Sequence, residues 1–299
     1  RDGVAYCLAG RNMFVDGGMR LVRLDVLTGQ QISETVLDDR DPETGKNLQA
    51  LMGGKALPVA GPDILSSDGR FVYMKAQKFT LEGKRAGIAV EVNKEKEQQG
   101  EGRHLFCPTG FLDDAWFHRS YWIYGKNAGE GHGEYTRPQG STPSGRILVF
   151  DEERVYGLSA DAYDNRMNPR SSHYPFAADR EGKGVNYRWK LENSPVLANA
   201  MALARRTLFL AGPPDLIDEA DVFGAPYGTG SELDNKLRAQ EEAWLGNRGA
   251  LLWAVSAEDG KKLAEHKLNS VPVWDGMTAA GGRLYISTMD GRVVSYAAE

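Results

Sequence analysis

Two short stretches near the end of the chain decide the fold: GRLYIS at residues 282–287 and DGRVVSY at residues 290–296. Each alternates apolar with polar residues, as a strand with one buried face does, and Asp290-Gly291 supplies the turn between them. The same Gly-Arg start recurs in DGRFVYM at residues 68–74 and in GRILVF at residues 145–150. Sheet-forming units that repeat at intervals of several tens of residues are typical of propeller blades.

A second hairpin pattern also occurs twice. LVRLD at residues 21–25 leads through Thr28-Gly29 to ISE at residues 32–34, and WAVS at residues 253–256 leads through Asp259-Gly260 to LAE at residues 263–265. The glycine of each pair provides the positive φ that a tight turn needs. Two copies of one hairpin, far apart in the chain, again predict a repeated antiparallel unit.

These patterns predict an all-β chain with the fold of a β-propeller built from four-stranded antiparallel blades. We expect about five blades, starting near residues 3, 63, 104, 146 and 196, with a closing strand pair near residue 282. An abrupt start at Arg1 instead of Met predicts a partial ring, the C-terminal part of a longer propeller. The whole of residues 1–299 is then one propeller domain.

One segment departs from the β pattern. Between residues 213 and 247, Leu233, Leu237 and Trp244 fall near helical spacing, with Glu and Lys between them. We therefore predict a partly helical insertion at residues 213–247, between two strands of one blade.

Composition excludes several classes of function. Lys and Arg number 36 against 41 Asp and Glu, for a formal net charge of -5, so the chain lacks the basic footprint of a nucleic-acid binder. It contains no stretch of about 20 apolar residues that would span a membrane. Cys7 and Cys107 lie in apolar, strand-like contexts, which favours buried free thiols and leaves a long-range disulfide open. No spacing of ligands predicts a metal site.

Several segments resemble a known family. LWAV at residues 252–255, DGKKL at residues 259–263 and the two C-terminal stretches are similar to the repeats of pyrroloquinoline-quinone-like propellers, in the quinoprotein alcohol dehydrogenase-like superfamily. More narrowly, AGRNMFVDGG at residues 9–18, VLDDRDP at residues 36–42 and TGFLDDAWFHRSYW at residues 109–122 resemble large secreted propeller proteins of planctomycete-type bacteria. The resemblance implies a quinoprotein-like fold and a periplasmic or extracellular location.

The resemblance does not extend to the quinone site. The chain has no adjacent Cys-Cys pair and no convincing set of Glu, Asn and Asp calcium ligands, both of which the quinone-dependent dehydrogenases carry. We therefore predict no cofactor, and pyrroloquinoline quinone is not expected to bind this chain.

The densest group of reactive side chains lies at residues 113–124, where carboxylates, an imidazole, a guanidinium, phenols and indoles occur together. A polysaccharide-active site or a sugar-binding surface could use them, whereas packing between blades would explain the aromatic residues equally well. The candidate catalytic residues are His118, Arg119, Tyr121, Tyr124 and Asp113. The candidate ligand-binding residues are Asp16, Arg119, Trp122 and His132.

The sequence favours a secreted or periplasmic binding propeller without a catalytic motif, which recognises a glycan or a protein partner. The alternative is a polysaccharide lyase or hydrolase that uses the His, Arg and Tyr cluster near the propeller channel. A weaker alternative is a quinone-dependent dehydrogenase whose cofactor ligands lie outside this chain. An N-terminal propeller segment or a partner chain is expected to complete the ring.

Overall fold

The computed structural model describes residues 1–48, 65–74, 77–87, 103–106, 122–125, 142–159, 173–182, 184–217 and 232–297. The chain divides into two compact units, Arg1–Tyr135 and Thr136–Glu299, and each is described by itself. The prediction that residues 1–299 form one domain stays a prediction.

The first unit consists of short antiparallel strands in three groups. β1 pairs with β2 and β2 with β3, β4 pairs with β5 and β5 with β6, and β7 pairs with β8. The strands are β1 Val4–Ala9, β2 Met19–Asp25, β3 Gln31–Leu37, β4 Ser66–Ser67, β5 Phe71–Met74, β6 Gln77–Thr80, β7 His104–Phe106 and β8 Trp122–Gly125. The core between the first two sheets contains Leu21, Leu37, Met74 and Phe79, all nearly inaccessible to solvent.

The second unit contains three further antiparallel sheets, ordered β10-β11-β12-β13, β14-β15-β16-β17 and β18-β19-β20. Its elements are β9 Ser144–Gly145, β10 Ile147–Phe150, β11 Arg154–Ser159, β12 Tyr174–Asp179, β13 Tyr187–Lys190, β14 Ala200–Ala204, β15 Thr207–Gly212, α1 Glu232–Trp244, β16 Ala250–Ser256, β17 Lys262–Leu268, β18 Pro272–Ala280, β19 Arg283–Thr288 and β20 Val293–Ala297. In every sheet the strands follow one another in chain order, so each sheet is a simple meander.

The first strands of successive sheets lie side by side. β14 contacts β10 on one side and β18 on the other, and in the first unit β4 contacts β7. Meander sheets joined through their first strands are the blades of a β-propeller, which confirms the predicted fold class. Five sheets start near the predicted positions, and the expected closing strand pair is part of a three-stranded sheet, β18–β20. Four strands are described in two of the sheets and fewer in the others.

The recurrent Thr-Gly and Asp-Gly turns have the same hydrogen bonds. Oδ1 of Asp25 accepts the backbone N–H groups of Leu27 and Thr28, and Gly29, with φ of 70°, donates its N–H to the carbonyl of Asp25. Ser256 Oγ accepts in the same way ahead of Gly260, which has φ of 72°. The side chain thus satisfies donors that the turn would otherwise expose, and the glycine adopts the left-handed conformation without a Cβ clash.

A second repeated contact ties a strand to the turn before it. Asp68 Oδ1 accepts the backbone N–H of Phe71, and its Oδ2 accepts the hydroxyl of Tyr73 at 2.8 Å. Asp151 and Tyr156 repeat this arrangement at 3.1 Å. Burial raises the pKa of Tyr156 to about 12, and the negative charge of Asp151 adds to the effect. The same side chains therefore begin a strand in both units.

Helix α1 lies within the predicted insertion at residues 213–247 and between two strands that pair with each other. Gln240, buried on the helix, anchors it: its Nε2 donates to the carbonyl of Pro214 at 3.1 Å and its Oε1 accepts the N–H of Leu216 at 2.7 Å. Trp244, the last residue of the helix, is exposed. At 13 residues the helix is too short to cross a membrane, and the described ranges hold no other candidate.

Cys7 differs from its prediction. It lies on β1, as the apolar context suggested, but its side chain is exposed and the thiol is free. Tyr6 and Leu8, its neighbours on the strand, pack against the core. Because successive side chains of a strand alternate between faces, Cys7 points to solvent. Cys107 lies outside the described residues.

Candidate functional site

Most of the side chains that sequence reasoning selected lie outside the described residues: Asp113, His118, Arg119, Tyr121 and His132. Trp122 and Tyr124 are described on β8, where they are 7% and 0% exposed. Both side chains are therefore buried. The roles proposed for this cluster in ligand binding or catalysis stay predictions.

Asp16 lies in the loop between β1 and β2, at φ of 57°. Its side chain is exposed, and its Oδ2 accepts two hydrogen bonds from Arg11, from Nε at 3.0 Å and from Nη2 at 2.5 Å. An exposed ion pair of this kind contributes little to stability and leaves the carboxylate reachable by a ligand.

A different aspartate stands out in the second unit. Asp275 lies in the middle of β18, where the pairing with β19 shifts register between Pro272 and Met277. Its φ of 53° is a left-handed conformation in which an aspartate is uncommon, and its N–H donates to the carbonyl of Asn199 at 2.9 Å. The bulge turns the backbone here because four residues of β18, 273–276, face the single residue Ser287 of β19. Strained residues of this kind concentrate at functional sites.

The carboxylate of Asp275 makes no hydrogen bond or ion pair with any residue in the described part of the chain. Asp275 is exposed to solvent, and partial desolvation by the protein around it raises the pKa of its carboxyl. No charged group among the described residues contributes to this shift. A carboxyl group with a raised pKa and unused bonding capacity is a marker of binding and catalytic sites.

The next residue along the same bulge brings in a cation. The indole of Trp274 is half-buried against the core of the second unit, and the guanidinium of Arg146 lies 5.5 Å from the centre of its ring. Arg146 directly precedes β10, and Asn199 directly precedes β14. The first strands of three sheets thus contribute to one surface, which we call the Asp275 patch: Arg146, Asn199, Trp274 and Asp275.

The Asp275 patch offers complementary chemistry to a ligand. The carboxyl accepts hydrogen bonds when ionised and donates one when protonated, the guanidinium donates up to five, and the indole gives an apolar surface. A ligand rich in hydroxyl groups, each both donor and acceptor, can use all of these. No group of three or more metal-ligating side chains occurs among the residues that the structure describes.

Sequence reasoning did not select Asp275. The signal was available in Asp275-Gly276, because a turn dipeptide inside an alternating strand marks a bulge. What the sequence could not show is that Asn199 and Arg146 approach from other sheets.

The pKa of Asp275 predicts a pH-dependent effect of Asp275→Asn on stability. The folded protein binds the carboxyl proton more tightly than the unfolded chain, so stability falls as pH rises from about 4 through the raised pKa. Asparagine has no proton to lose in this range, so the variant avoids this decrease in stability, and asparagine also tolerates the left-handed φ. The variant is expected to be more stable than the parent at pH 7.5, and the gain should vanish below about pH 4. Urea unfolding at both pH values measures it.

Asp290→Asn is the matched control in the same sheet. A hydrogen bond from Thr288 lowers the pKa of Asp290, so its charge is stabilised in the folded state and lost as pH falls through that pKa. This variant should lose stability at pH 7.5. Equal behaviour of the two variants would contradict the assignment of a desolvated carboxyl at Asp275.

No protein-family model matches the chain, and no curated protein is similar to it at a significant level. Among solved structures, BamB from Moraxella catarrhalis is similar over 98% of this chain and 71% of its own, with 11% identity and a TM-score of 0.39. An ACO/RPE65 chimera is similar over 99% of this chain and 77% of its own, with 9% identity and a TM-score of 0.40.

Proposed function

We propose that the chain is a non-catalytic binding module of the β-propeller type, which recognises an oligosaccharide at the Asp275 patch. The observation that carries the proposal is the bulge in β18, where the exposed carboxyl of Asp275 has no hydrogen-bond partner among the described residues and the adjacent Trp274 has the guanidinium of Arg146 over its ring. A partly desolvated carboxylate without a hydrogen-bond donor destabilises the folded protein, and a ligand that donates a hydrogen bond to it would offset this cost. A ligand hydroxyl is a partner of the right chemistry.

The first strands are a suitable place for such a site. Three sheets meet there, so one ligand can contact side chains from several blades, which a site on a single hairpin cannot offer. Trp274 is held by the core beneath it, and Asn199 is fixed by the hydrogen bond of its N–H to the carbonyl of Ala211. The patch is therefore preorganised, which reduces the entropy lost on binding.

Titration of the protein with cello-, xylo- and galacturonate hexamers, followed by calorimetry, tests the proposal. At least one hexamer should bind, and Asp275→Asn and Arg146→Gln should each weaken it about 10-fold or more, as loss of a charge-assisted hydrogen bond requires. Asp16→Asn tests the other candidate carboxylate, and this variant should leave the affinity unchanged. Loss of affinity in Asp16→Asn alone, or binding indifferent to Asp275→Asn, would refute the site.

The raised pKa of Asp275 is also compatible with the second hypothesis, a polysaccharide-active enzyme, because a general acid works with a pKa above that of an ordinary exposed carboxyl. The same hexamers decide between the two. We expect the intact hexamer to be recovered after prolonged incubation. If the parent protein produces shorter oligosaccharides and Asp275→Asn does not, the protein is an enzyme and not a binding module.

A periplasmic or extracellular location and a partner that completes the propeller remain part of this proposal, and both rest on the resemblance to secreted quinoprotein-like propellers. We propose no quinone or other cofactor for the chain. Size-exclusion chromatography of the protein isolated under native conditions, together with any chain that co-purifies with it, tests for the partner. The complex should elute at a mass larger than the 32.9 kDa of this chain.

A further inference from the structure

The Asp275 patch contains an arginine whose side chain has no anionic partner in the described part of the chain. Arg146 is half-buried, and its backbone N–H donates to the carbonyl of Leu158 at 2.8 Å, which fixes the residue where β10 begins. Its guanidinium lies 5.5 Å from the centre of the Trp274 ring and makes no hydrogen bond or ion pair with any described residue. The N–H donors of this guanidinium are therefore available to a ligand.

Two other half-buried arginines of the second unit differ from Arg146 in this respect. Arg154 donates from its Nη1 to a backbone carbonyl at 3.1 Å. Arg180 lies 5.3 Å from the centre of a phenylalanine ring, much as Arg146 lies over Trp274, but its Nη1 also donates to a backbone carbonyl at 2.9 Å. The contact with an aromatic ring is thus accompanied by a protein acceptor at Arg180, whereas no described residue supplies one at Arg146.

The state of Arg146 determines which ligand group suits it best. A half-buried guanidinium loses part of its hydration, and without an acceptor no protein group replaces that water. The contact with the indole of Trp274 offsets only part of this cost. A carboxylate would form charge-assisted hydrogen bonds there, because its two oxygens match the planar fork of the guanidinium. The surroundings of Arg146 therefore favour an anionic group over a neutral hydroxyl.

Asp275 is not the counter-ion of Arg146, although both belong to the patch. No ion pair joins these two described side chains, and no charged group of the described residues contributes to the raised pKa of Asp275. Both groups adjoin Trp274, since Asp275 follows it in the chain and the guanidinium lies over its ring. A ligand that carries both a carboxylate and hydroxyl groups can bind Arg146 through the first and Asp275 through the second.

We propose that the oligosaccharide bound at the Asp275 patch is acidic, a polyuronate whose carboxylate binds the guanidinium of Arg146 beside the indole of Trp274. The inference rests on the proposed function, because it names the class of oligosaccharide for the same site. A neutral sugar offers Arg146 only hydroxyl groups, which form weaker hydrogen bonds than a charged acceptor. Because the chain has a formal net charge of -5, long-range attraction does not favour an anion, and the preference has to come from this local contact.

Hexagalacturonate and its full methyl ester are the matched ligands for the test, because the ester removes the charge of every carboxyl group and keeps the sugar chain. Calorimetry with the parent protein at neutral pH should give a Kd at least about 10-fold lower for the acid than for the ester. Arg146→Gln should reduce this ratio to about 1, and Arg146→Lys, which keeps the charge but not the planar fork, should give an intermediate ratio. The ratio is the informative quantity, because a disturbed fold would weaken both ligands alike.

Arg283→Gln is the control, because it removes the same charge from an exposed arginine of β19 whose guanidinium bonds Ser295 Oγ at 3.3 Å. This variant should keep the ratio of the parent. Equal affinity of the parent for acid and ester, or an unchanged ratio in Arg146→Gln, would overturn the inference. If cellohexaose binds and hexagalacturonate does not, the acidic ligand is wrong and the proposed function stands. If none of the hexamers binds, both fail.

Discussion

Replacing Trp189 with alanine is expected to lower the free energy of unfolding by about 3–5 kcal/mol, the usual cost of truncating a buried aromatic residue. Trp189 is on β13, the last strand of its sheet, yet only 9% of it is exposed. Its Nε1 donates to the carbonyl of Ala257 at 3.1 Å, and its ring lies against the Gly260 turn, where a Cβ would be only 2.9 Å from Cδ2. The side chain thus fastens one sheet to the turn between β16 and β17 of the next sheet.

Urea unfolding followed by far-ultraviolet circular dichroism measures this loss. Trp244→Ala is the matched control, because Trp244 is 55% exposed on α1 and should change stability by no more than about 0.5 kcal/mol. Trp189→Phe separates the two contributions, since it keeps most of the ring and loses the hydrogen bond. If Trp189→Ala is as mild as the control, the contact between the sheets does not stabilise the fold.

Replacing Gly212 with alanine is expected to cost more than about 3 kcal/mol, above the usual range for overpacking. An added Cβ would lie 1.8 Å from the carbonyl oxygen of Leu197 and 2.9 Å from the backbone nitrogen of Asn199. Both atoms belong to the segment before β14, where Leu197 donates its N–H to the carbonyl of Pro213 and Asn199 to that of Ala211, so neither can move without breaking hydrogen bonds. The clash must displace the backbone around Asn199. Because Asn199 belongs to the Asp275 patch, we expect this variant to lose oligosaccharide binding as well.

Gly291→Asn is the control for this variant. Gly291 has φ of 81° and no atom within 4 Å of an added Cβ. Asparagine there would cost only the free energy of placing a non-glycine residue in the left-handed conformation, about 1 kcal/mol. The yield of soluble protein and the midpoint of urea unfolding compare the two variants. A loss in Gly212→Ala no larger than in Gly291→Asn would show that the close approach of the two backbone segments is not maintained in solution.

Local chemistry explains why the strands and turns could be predicted. Asp25, Thr28 and Gly29 form their turn from side-chain and backbone groups within five consecutive residues, so the pattern is complete in the sequence. Each Gly-Arg stretch likewise contains both the turn residues and the alternation of apolar and polar residues that predicts the strand. The helix of the insertion was predictable for the same reason, because its apolar positions repeat within a few turns.

Contacts between distant segments decided the rest. Trp189 and Gly260 belong to different sheets, and nothing in either local sequence shows that one packs on the other. Cys7 was expected to be buried because its neighbours are apolar, but only the packing of Tyr6 and Leu8 determines which face of β1 meets the core. The apolar space beside the turn between β18 and β19 likewise depends on residues from separate hairpins, among them Ala204 and Gly281.

The sequence by itself determined the class of fold, the approximate starts of the sheets and the place of the helical insertion, because strand alternation, turn chemistry and helical spacing are local properties. Only the tertiary structure decided that Asp275, among many aspartates, has a raised pKa although it is exposed, and that its carboxyl makes no hydrogen bond within the described residues. Desolvation and charge compensation depend on all the atoms surrounding a group, and those atoms come from residues far apart in the chain.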